Sequence, residues 1–302
     1  MINVIRTTVS IYRNVKDFKF VPKLTDENKT KIADIVKSAL PNFTETRLKD
    51  ISASNQAKLY GLNNSNYSTV FIDKNADVGI SLFDGEHLKI TASNYGYNKD
   101  VFKDAVAVSE TLKNKVNLAY SDEYGYLMSD LSLIGNGLIC ECDFVLTGIN
   151  SLNKISQVKQ NVLKLGYKLT ETDEDDVYTL STRCNLGKTM QEVWKDFEQM
   201  VQNLQDLETE SVKLLESEDS DEMFDKYIRS LAILQNAHIM PFDELKQLVA
   251  QLRMGLNLGY KEVGLNKINE LQQLILNKNS QFVSKSELID LASKVKKVLK
   301  GE

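Results

Sequence analysis

The chain has 302 residues and a formal net charge of -5, with 42% apolar and 26% charged residues, a composition typical of a globular protein with one large or two ordinary cores. The acidic balance gives no electrostatic reason to expect nucleic acid or an anionic membrane as a partner, and no stretch approaches the ~20 apolar residues of a membrane span, so we expect a cytoplasmic protein. Three cysteines, an odd number, argue against a disulfide framework, and two histidines are too few for a zinc site.

The first part of the chain predicts alternating helices and strands. Apolar residues at helical spacing indicate a helix over 26–40. Strand-like runs follow over 68–74 and 78–93, with a turn at Gly85 inside the second run. Helical spacing returns over 99–116, which predicts an amphipathic helix packed on the sheet.

The stretch 119–144, AYSDEYGYLMSDLSLIGNGLICECDF, is the segment around which the rest of the chain is organised. It has a Tyr-rich entry, a bend rich in Ser and Asp, and a glycine pair at Gly135 and Gly137. An apolar run over 138–146 then predicts a buried strand. The two cysteines of this run stand two positions apart, so we expect them on one face of that strand in a structural role.

A helix, two strands and a longer helix are predicted next. The first helix covers 150–165, and the strands lie on either side of the acidic residues 171–176. The sequence GKT at 187–189 resembles the end of a phosphate-binding loop, but the glycine that such a loop has five residues earlier is a threonine here. We interpret Thr189 and Glu192 as a capping box that opens a helix over 190–215.

The C-terminal part of the chain is predicted to be helical throughout. The segment 216–222, ESEDSDE, is acidic and lacks apolar residues, which is typical of a linker. Every longer segment beyond it has apolar residues at helical spacing, and Ser284 with Glu287 forms a capping box for the last helix. We expect two domains, 1–217 and 218–302.

Three motifs carry a resemblance to a known family. Residues 126–139 are similar to Y-L-T-S-C-P-T-N-x-G-T-G-L-R, residues 6–14 to S-S-R-I-R-L-A-R-N, and residues 83–90 to N-E-E-D-H-x-R-I. These patterns are motifs of the phosphagen (guanidino) kinases and of their bacterial relatives, the protein arginine kinases, so the chain resembles that family. The positions that agree are Arg13, Asn14, Glu86, His87, Ile90, Tyr126, Leu127, Ser129, Ser132, Gly135, Gly137 and Leu138.

The segments 227–239 and 252–260 resemble the bacterial arginine kinases specifically. The resemblance implies an α+β fold of the guanidino kinase, glutamine synthetase-like type, in which helices flank an antiparallel sheet and an all-α C-terminal domain follows. In the arginine kinases this helical domain makes a dimer and carries an Arg-Asp pair that recognises phosphoarginine. That pair falls on Leu288 and Ile289 here, beside Asp290.

The resemblance also implies which positions would carry the chemistry. The arginines that bind ATP fall on Thr8, Ser10, Lys89 and Ile139, and a hydroxyl or alkyl group lacks the charged fork that holds a phosphate. The family's catalytic base falls on Gly85, which has no group to accept a proton. The vestigial catalytic positions are Asp84, Glu86, His87, Ser129 and Asp130.

The acidic connection 171–176 stands where the family has a loop whose arginine contacts the transferred phosphate. That arginine falls near Leu169 in this chain. Clustered carboxylates repel a triphosphate unless divalent cations intervene, so a Mg²⁺-binding loop is the alternative interpretation of this segment.

We interpret the chain as a catalytically inactive arginine-kinase homologue, a pseudokinase that needs no cofactor or metal and acts through protein contacts. By resemblance, its partners are an active arginine kinase, the zinc-finger activator of that kinase or a Clp unfoldase, with a homo- or heterodimer formed by the helical domain. The alternative is an active ATP- and Mg²⁺-dependent kinase with a site rebuilt from Lys89, Glu86, Asp84 and Arg13. A third hypothesis is a module in which Asp84 and Glu86 hold arginine or phosphoarginine without ATP.

Overall fold

The computed structural model describes residues 1–47, 69–172, 174, 176–183, 186–218, 220–276 and 284–300. The strands in this part of the chain are β1 (Val4–Arg13), β2 (Thr44–Arg47), β3 (Thr69–Ile72), β4 (Val78–Leu82), β5 (Leu88–Tyr95), β6 (Tyr120–Ser121), β7 (Gly125–Tyr126), β8 (Leu138–Val145), β9 (Tyr167–Glu171) and β10 (Val177–Thr182). The helices are α1 (Asp26–Ala39), α2 (Asp100–Lys115), α3 (Thr147–Ser151), α4 (Ile155–Lys164), α5 (Met190–Glu218), α6 (Ser220–Asn236), α7 (Phe242–Asn257), α8 (Leu265–Leu276) and α9 (Lys285–Lys300).

An eight-stranded antiparallel sheet forms the first part of the molecule, in the order β2-β3-β4-β5-β1-β8-β10-β9. The first strand, β1, lies near the middle and pairs with β5 on one side and β8 on the other. Because side chains alternate along a strand, Val9 and Ile11 enter the apolar core while Thr8 and Ser10 lie on the other face. The predicted fold class, an antiparallel sheet flanked by helices and followed by a helical region, is confirmed.

The core face of the sheet packs against helices. The predicted helix over 99–116 is confirmed as α2, and its Phe102 stacks on Trp194 of α5 with ring centroids 5.0 Å apart. Trp194 is therefore a core residue. Cys140 and Cys142 both point into this core from β8 and are free thiols.

The helix predicted over 150–165 is confirmed over 155–164, but its predicted start is wrong. The structure has two helices there, α3 and α4, separated by a turn in which Asn153 takes a left-handed φ of 56°. Asparagine tolerates this conformation better than most residues. The turn contains neither glycine nor proline, so no strong local signal marks the break.

The helices α6 to α9 pack around a second apolar cluster, which includes Tyr227, Leu234, Leu252 and Val295. Most of the predicted linker over 216–222 is helical, since α5 ends at Glu218 and α6 begins at Ser220, which corrects that expectation. An acidic, polar sequence permits helix as readily as coil when neighbouring helices fix its ends. We propose the domain division 1–217 and 218–302 because the two clusters draw on separate parts of the chain.

The start of the chain joins the sheet to the helical region. The Asn3 backbone N–H donates to Gln205 Oε1 at 2.8 Å, and Asn257 Nδ2 donates to Asn3 Oδ1 at 3.0 Å. The buried guanidinium of Arg253 donates to the Ile2 carbonyl. In the described ranges no helix is both long enough and apolar enough to cross a membrane.

A buried carboxylate on α5 holds the start of α3. Glu208 is buried and accepts the backbone N–H groups of Gly148 at 2.7 Å and Ile149 at 2.9 Å. Burial raises the pKa of Glu208 from its ordinary 4.5 to about 7, although these two hydrogen bonds act in the opposite direction. The folded protein therefore binds this proton more tightly than the unfolded chain does.

We expect this carboxylate to make stability depend on pH. Its contribution is fully present below pH 4.5 and is lost as pH rises to about 7, at a cost on the order of 3 kcal/mol in the free energy of unfolding. Urea unfolding at acidic and neutral pH measures the change in wild type and in Glu208→Gln, where it should be smaller. Glu210→Gln, exposed on the same helix, is the matched control; equal pH dependence in wild type and Glu208→Gln would contradict the assignment.

Candidate active site

Two hydroxyl residues occupy the middle of the polar face of the sheet. Thr8 Oγ1 lies 2.8 Å from Ser93 Oγ, and Ser10 Oγ lies 3.4 Å from Thr91 Oγ1, so each bonds across to β5. All four side chains are buried. At these predicted ATP positions the structure places small neutral groups that already have hydrogen-bond partners.

A lysine and an aspartate form an ion pair beside the hydroxyl residues. Lys89 Nζ on β5 lies 3.3 Å from Asp84 Oδ2 and 5.6 Å from the centre of the Tyr12 ring. Burial, the largest single influence, lowers the pKa of Lys89, but Tyr12 and Asp84 together more than reverse it and the pKa is raised overall. The ammonium is therefore charged, with Asp84 as its counter-ion. Ile139, the fourth predicted ATP position, is opposite Ser10 on β8 and adds an apolar group.

Two carboxylates on β8 share this face and were missed in the sequence analysis. Arg6 Nη2 lies 2.6 Å from Asp143 Oδ2, and Thr179 Oγ1 donates to Asp143 Oδ1 at 2.7 Å. Glu141 is opposite Thr8, and its pKa is raised by burial and by the carboxylate of Asp143. The sequence pattern of β8 could have revealed them. Glu141 and Asp143 alternate with the two core-facing cysteines, which places both acids on the non-core face.

The polar face is thus not a cationic surface. On the central strands β1, β5 and β8 and in the turn before β5, its charged side chains are two cations, Arg6 and Lys89, and three carboxylates, Asp84, Glu141 and Asp143. Lys168 lies on the same face at the edge strand β9. The net charge of these five groups is -1 when all are ionised. An incoming triphosphate would meet a slightly negative floor in which both cations already have carboxylate partners.

Glu86 is the centre of a buried hydrogen-bond network. It is 1% exposed. Its Oε1 accepts from the Ser129 backbone N–H at 2.8 Å, the Ser129 hydroxyl at 2.7 Å and the Asp130 backbone N–H at 2.9 Å. Its Oε2 accepts from Asn14 Nδ2 at 2.6 Å. The carboxylate therefore ties the turn after β4 to the end of β1 and to the loop at 129–130.

His87 continues the same network and is also buried. Its Nδ1 accepts the Val15 backbone N–H at 3.0 Å, which leaves the ring proton on Nε2, 2.8 Å from the Lys19 carbonyl oxygen. Burial lowers the pKa of His87. Glu86 and His87 follow the turn predicted at Gly85, and their side chains face inward and have protein partners.

Asp130, at the family's reactive-cysteine position, begins a short 3₁₀ turn. Its Oδ1 accepts the backbone N–H and the hydroxyl of Ser132, both at 2.8 Å. The side chain is exposed and fixes the loop at its own position. This arrangement is that of a capping residue.

Gly137, the second glycine of the pair, is required by close packing. Gly137 has a φ of 63°, and a Cβ atom there would lie 2.6 Å from the Tyr12 carbonyl oxygen and 2.8 Å from Arg13 Nη1. Arg13 is buried and donates to the Tyr12 carbonyl at 2.6 Å and to the Asn136 carbonyl at 2.9 Å. Glycine at this position therefore leaves the space in which the guanidinium lies.

Two family models match the chain, one over the part that contains the sheet and one over the helical region. A family model described as "ATP:guanido phosphotransferase, C-terminal catalytic domain" matches residues 18–211. The chain belongs to the ATP:guanido phosphotransferase family. A second model, "Protein-arginine kinase McsB C-terminal domain", matches residues 220–298. The family predicted from the three motifs is confirmed.

Relatives within the guanidino phosphotransferase family are bacterial protein-arginine kinases. One from Staphylococcus haemolyticus is 24% identical over 277 residues, 87% of this chain and 82% of the relative. Another from Listeria welshimeri is 24% identical over 315 residues, 99% of this chain and 91% of the relative.

Solved structures share the guanidino kinase fold. The duplicated taurocyamine kinase from Schistosoma mansoni has a TM-score of 0.58 at 21% identity, and the match covers 68% of this chain but only 33% of that one. Lombricine kinase has a TM-score of 0.55 at 18% identity, with 68% of this chain and 66% of that chain covered. At these identities the likeness is one of fold.

The structure describes only part of the acidic connection at 171–176. Glu171 pairs with Lys159, and Asp176 accepts a hydrogen bond from Asn150; the predicted residues at 173 and 175 lie outside the described residues. Leu169, near the family's loop-arginine position, is buried in the core. Among the residues that the structure describes, no group of three or more His, Cys, Asp or Glu side chains is arranged to hold a metal ion.

Proposed function

We propose that this guanidino kinase homologue is catalytically inactive and works as a regulatory interaction protein. The observation that carries the proposal is the state of the polar face: Thr8 and Ser10 are buried and bonded to β5 hydroxyls, and Ile139 is apolar. Phosphoryl transfer depends on cations that hold and neutralise the phosphates in flight. Each lost transition-state donor costs ~3 kcal/mol, so several losses together abolish measurable transfer.

The catalytic carboxylates support the same proposal. The family's base position is Gly85, which cannot accept a proton. The neighbouring Glu86 has hydrogen-bond donors on both of its oxygens, and Asp84 pairs with Lys89. Neither acid is placed to align a guanidinium and remove its proton.

The alternative is an active kinase with a rebuilt site. The relatives of this chain that are named protein-arginine kinases support this alternative. Such a site would use ATP, Mg²⁺, Lys89, Asp84, Glu86 and Arg13. The structure disfavours it because Arg13 lies beneath the Tyr126 ring and Glu86 is enclosed. The enclosure of Glu86 likewise disfavours a module that holds arginine between Asp84 and Glu86.

Nucleotide binding and phosphoarginine formation test the proposal. We expect no heat of binding in a calorimetric titration with MgATP, and no acid-labile phosphoarginine after incubation with labelled ATP, Mg²⁺ and an arginine-rich protein. An active protein-arginine kinase is the positive control. Lys89→Ala sets the background, because it removes the remaining cation of the predicted ATP positions without touching the Glu86 network. Phosphoarginine above this background would refute inactivity, and saturable ATP binding would contradict the expectation that the polar face holds no nucleotide.

The helical region offers a surface for the proposed dimer. Phe224 and Ile228, one turn apart on α6, are 45% and 37% exposed, and apolar side chains at this spacing form one patch. We propose that a second copy or an active arginine kinase covers this patch; by resemblance, the zinc-finger activator and a Clp unfoldase are further partners. No nucleic acid, membrane or cofactor is part of the proposal.

Sedimentation equilibrium tests the dimer. We expect wild type to sediment above the 34.2 kDa of one chain and the double variant Phe224→Ser, Ile228→Ser to sediment as a monomer. Leu163→Ser changes an equally exposed leucine on α4 and should leave the association unchanged. Wild type that stays monomeric both alone and when mixed with an active arginine kinase would contradict the proposal.

A further inference from the structure

A cavity of about 1170 Å³ lies away from the polar face of the sheet. Its walls are the β6–β7 hairpin, the last turns of α2 and the residues that lead into α5. We call it the tyrosine cavity, after Tyr120, Tyr124 and Tyr126 in its lining. Thr8, Ser10, Lys89 and Ile139 are not part of its lining, so it is distinct from the candidate active site.

A buried cation lies directly behind the wall of the tyrosine cavity. Tyr126, Asn136 and Met190 line the cavity and all contact Arg13. The guanidinium carbon is 3.7 Å from the centre of the Tyr126 ring, Nη1 donates to the Asn136 carbonyl at 2.9 Å, and Nη2 reaches only the Met190 sulfur, at 3.9 Å. Arg13 Nε is buried and has no hydrogen-bond partner among the residues that the structure describes.

The charge of Arg13 is not neutralised by an ion pair. Within the described ranges, no carboxylate lies within salt-bridge distance of its guanidinium. Burial lowers the pKa of Arg13 to about 10, so the group is still charged at neutral pH. A buried cation held by carbonyls, an aromatic face and a thioether lacks the anion that usually accompanies it.

The rim of the tyrosine cavity is also positively charged. Its lysines are Lys113, Lys115 and Lys188, and its acids are Glu110 and Glu123. With Arg13 behind the wall these groups carry a net charge of +2, in a chain whose net charge is -5. Lys188 is partly compensated from outside the cavity by an ion pair with an aspartate of α5. Lys113 pairs with Glu110 at 3.6 Å, and Lys115 Nζ donates to the Ala39 carbonyl oxygen at 2.9 Å. The positive charge of the region therefore rests mainly on the buried Arg13.

The same cavity has an apolar, aromatic mouth. Tyr124 and Leu186 are 51% and 59% exposed there, and Tyr120 meets Tyr126 edge to face at 5.2 Å. Exposed aromatic and aliphatic side chains around a concavity are typical of a ligand site. The β6–β7 hairpin, which carries the tyrosines, packs closely on Gly135. The carbonyl oxygen of Gly135 would lie 2.6 Å from a Cβ on Gly125.

We propose that the tyrosine cavity binds an anionic ligand with a planar apolar body. The body lies against Tyr124 and Leu186, and a carboxylate or phosphate displaces the Met190 thioether to pair with Arg13. Met190 is half-buried at the start of α5, and a thioether is a flexible side chain and a weak acceptor. The helix start itself is not the anion site, because Glu192 already accepts the Thr189 backbone N–H at 2.8 Å.

Two probes with one ring system test the charge requirement. The probes are 8-anilinonaphthalene-1-sulfonate and its uncharged analogue N-phenyl-1-naphthylamine, followed by fluorescence titration of the full chain. We expect the sulfonate to bind at least roughly tenfold more tightly, the effect of one charge-assisted contact. Near-ultraviolet circular dichroism confirms that each sample is folded. Equal affinity for the two probes would overturn the proposal.

Variants then place the binding site. Tyr124→Ser and Leu186→Ser should weaken both probes, whereas Leu163→Ser, at an equally exposed site on α4, should weaken neither. Met190→Ala should strengthen the sulfonate alone, because it opens the path to Arg13. Arg13→Gln should remove the preference for the sulfonate; if that variant does not fold, the Met190→Ala result decides. The proposal would be overturned if Tyr124→Ser and Leu186→Ser bind both probes as wild type does, or if Met190→Ala leaves the preference for the sulfonate unchanged.

Discussion

Glu86→Ala should lower the free energy of unfolding by about 4 kcal/mol, because it leaves several buried donors without an acceptor. These donors are Asn14 Nδ2 and the backbone N–H groups of Ser129 and Asp130, at 2.6 to 2.9 Å from the carboxylate. The residue is 1% exposed, so water does not replace the lost acceptor. The family motif marks the position of Glu86 as catalytic, but the effect that we expect from its replacement is a loss of stability.

Urea denaturation of three variants measures this effect. Asp84→Ala removes one partner of a partly buried ion pair with Lys89, whose side chains are 13% and 23% exposed. It should cost less than Glu86→Ala, because one ion pair is lost and not the several hydrogen bonds of a fully buried carboxylate. Glu86→Gln keeps the shape of the side chain and one good acceptor, so its loss should lie between the other two. If Glu86→Ala is as stable as Asp84→Ala, the network does not hold the loops together as described.

Gly137→Ala should lower the free energy of unfolding by about 3 kcal/mol. The left-handed φ of 63° costs an alanine about 1–2 kcal/mol, and overpacking adds a similar amount. The new methyl group would lie 2.6 Å from the Tyr12 carbonyl oxygen, 2.7 Å from Met128 Cε and 2.8 Å from Arg13 Nη1. Because the first of these is a backbone atom, the clash cannot be relieved by a side-chain rotation alone.

Gly166→Ala is the matched control for Gly137→Ala. Its φ of 88° is also left-handed, but no atom lies within 4 Å of a Cβ there, so only the backbone cost applies. Urea unfolding of both variants separates backbone strain from the loss of space around Arg13. Equal losses would mean that the guanidinium can move aside and that the glycine serves only the turn.

Local sequence patterns were sufficient for most of the elements. Alternation predicted the buried strand that is β8, and the capping boxes at Thr189 with Glu192 and at Ser284 with Glu287 both form. Local patterns failed at the break near Asn153 and at the acidic segment between α5 and α6. In both places the packing of the adjacent helices determines whether the segment is helical.

The sequence by itself determined the family, the fold class and the absence of arginines at the predicted ATP positions, because motifs and periodicity are properties of neighbouring residues. The tertiary structure decided what the remaining polar residues do. Asn14 and Glu86 are 72 residues apart in the chain, and Arg13 and Asn136 are 123 apart. Burial, hydrogen-bond partners and counter-ions arise only when such distant segments pack together. For that reason only the folded chain revealed that Glu86 is enclosed and that Arg13 forms no ion pair with a carboxylate of the described residues.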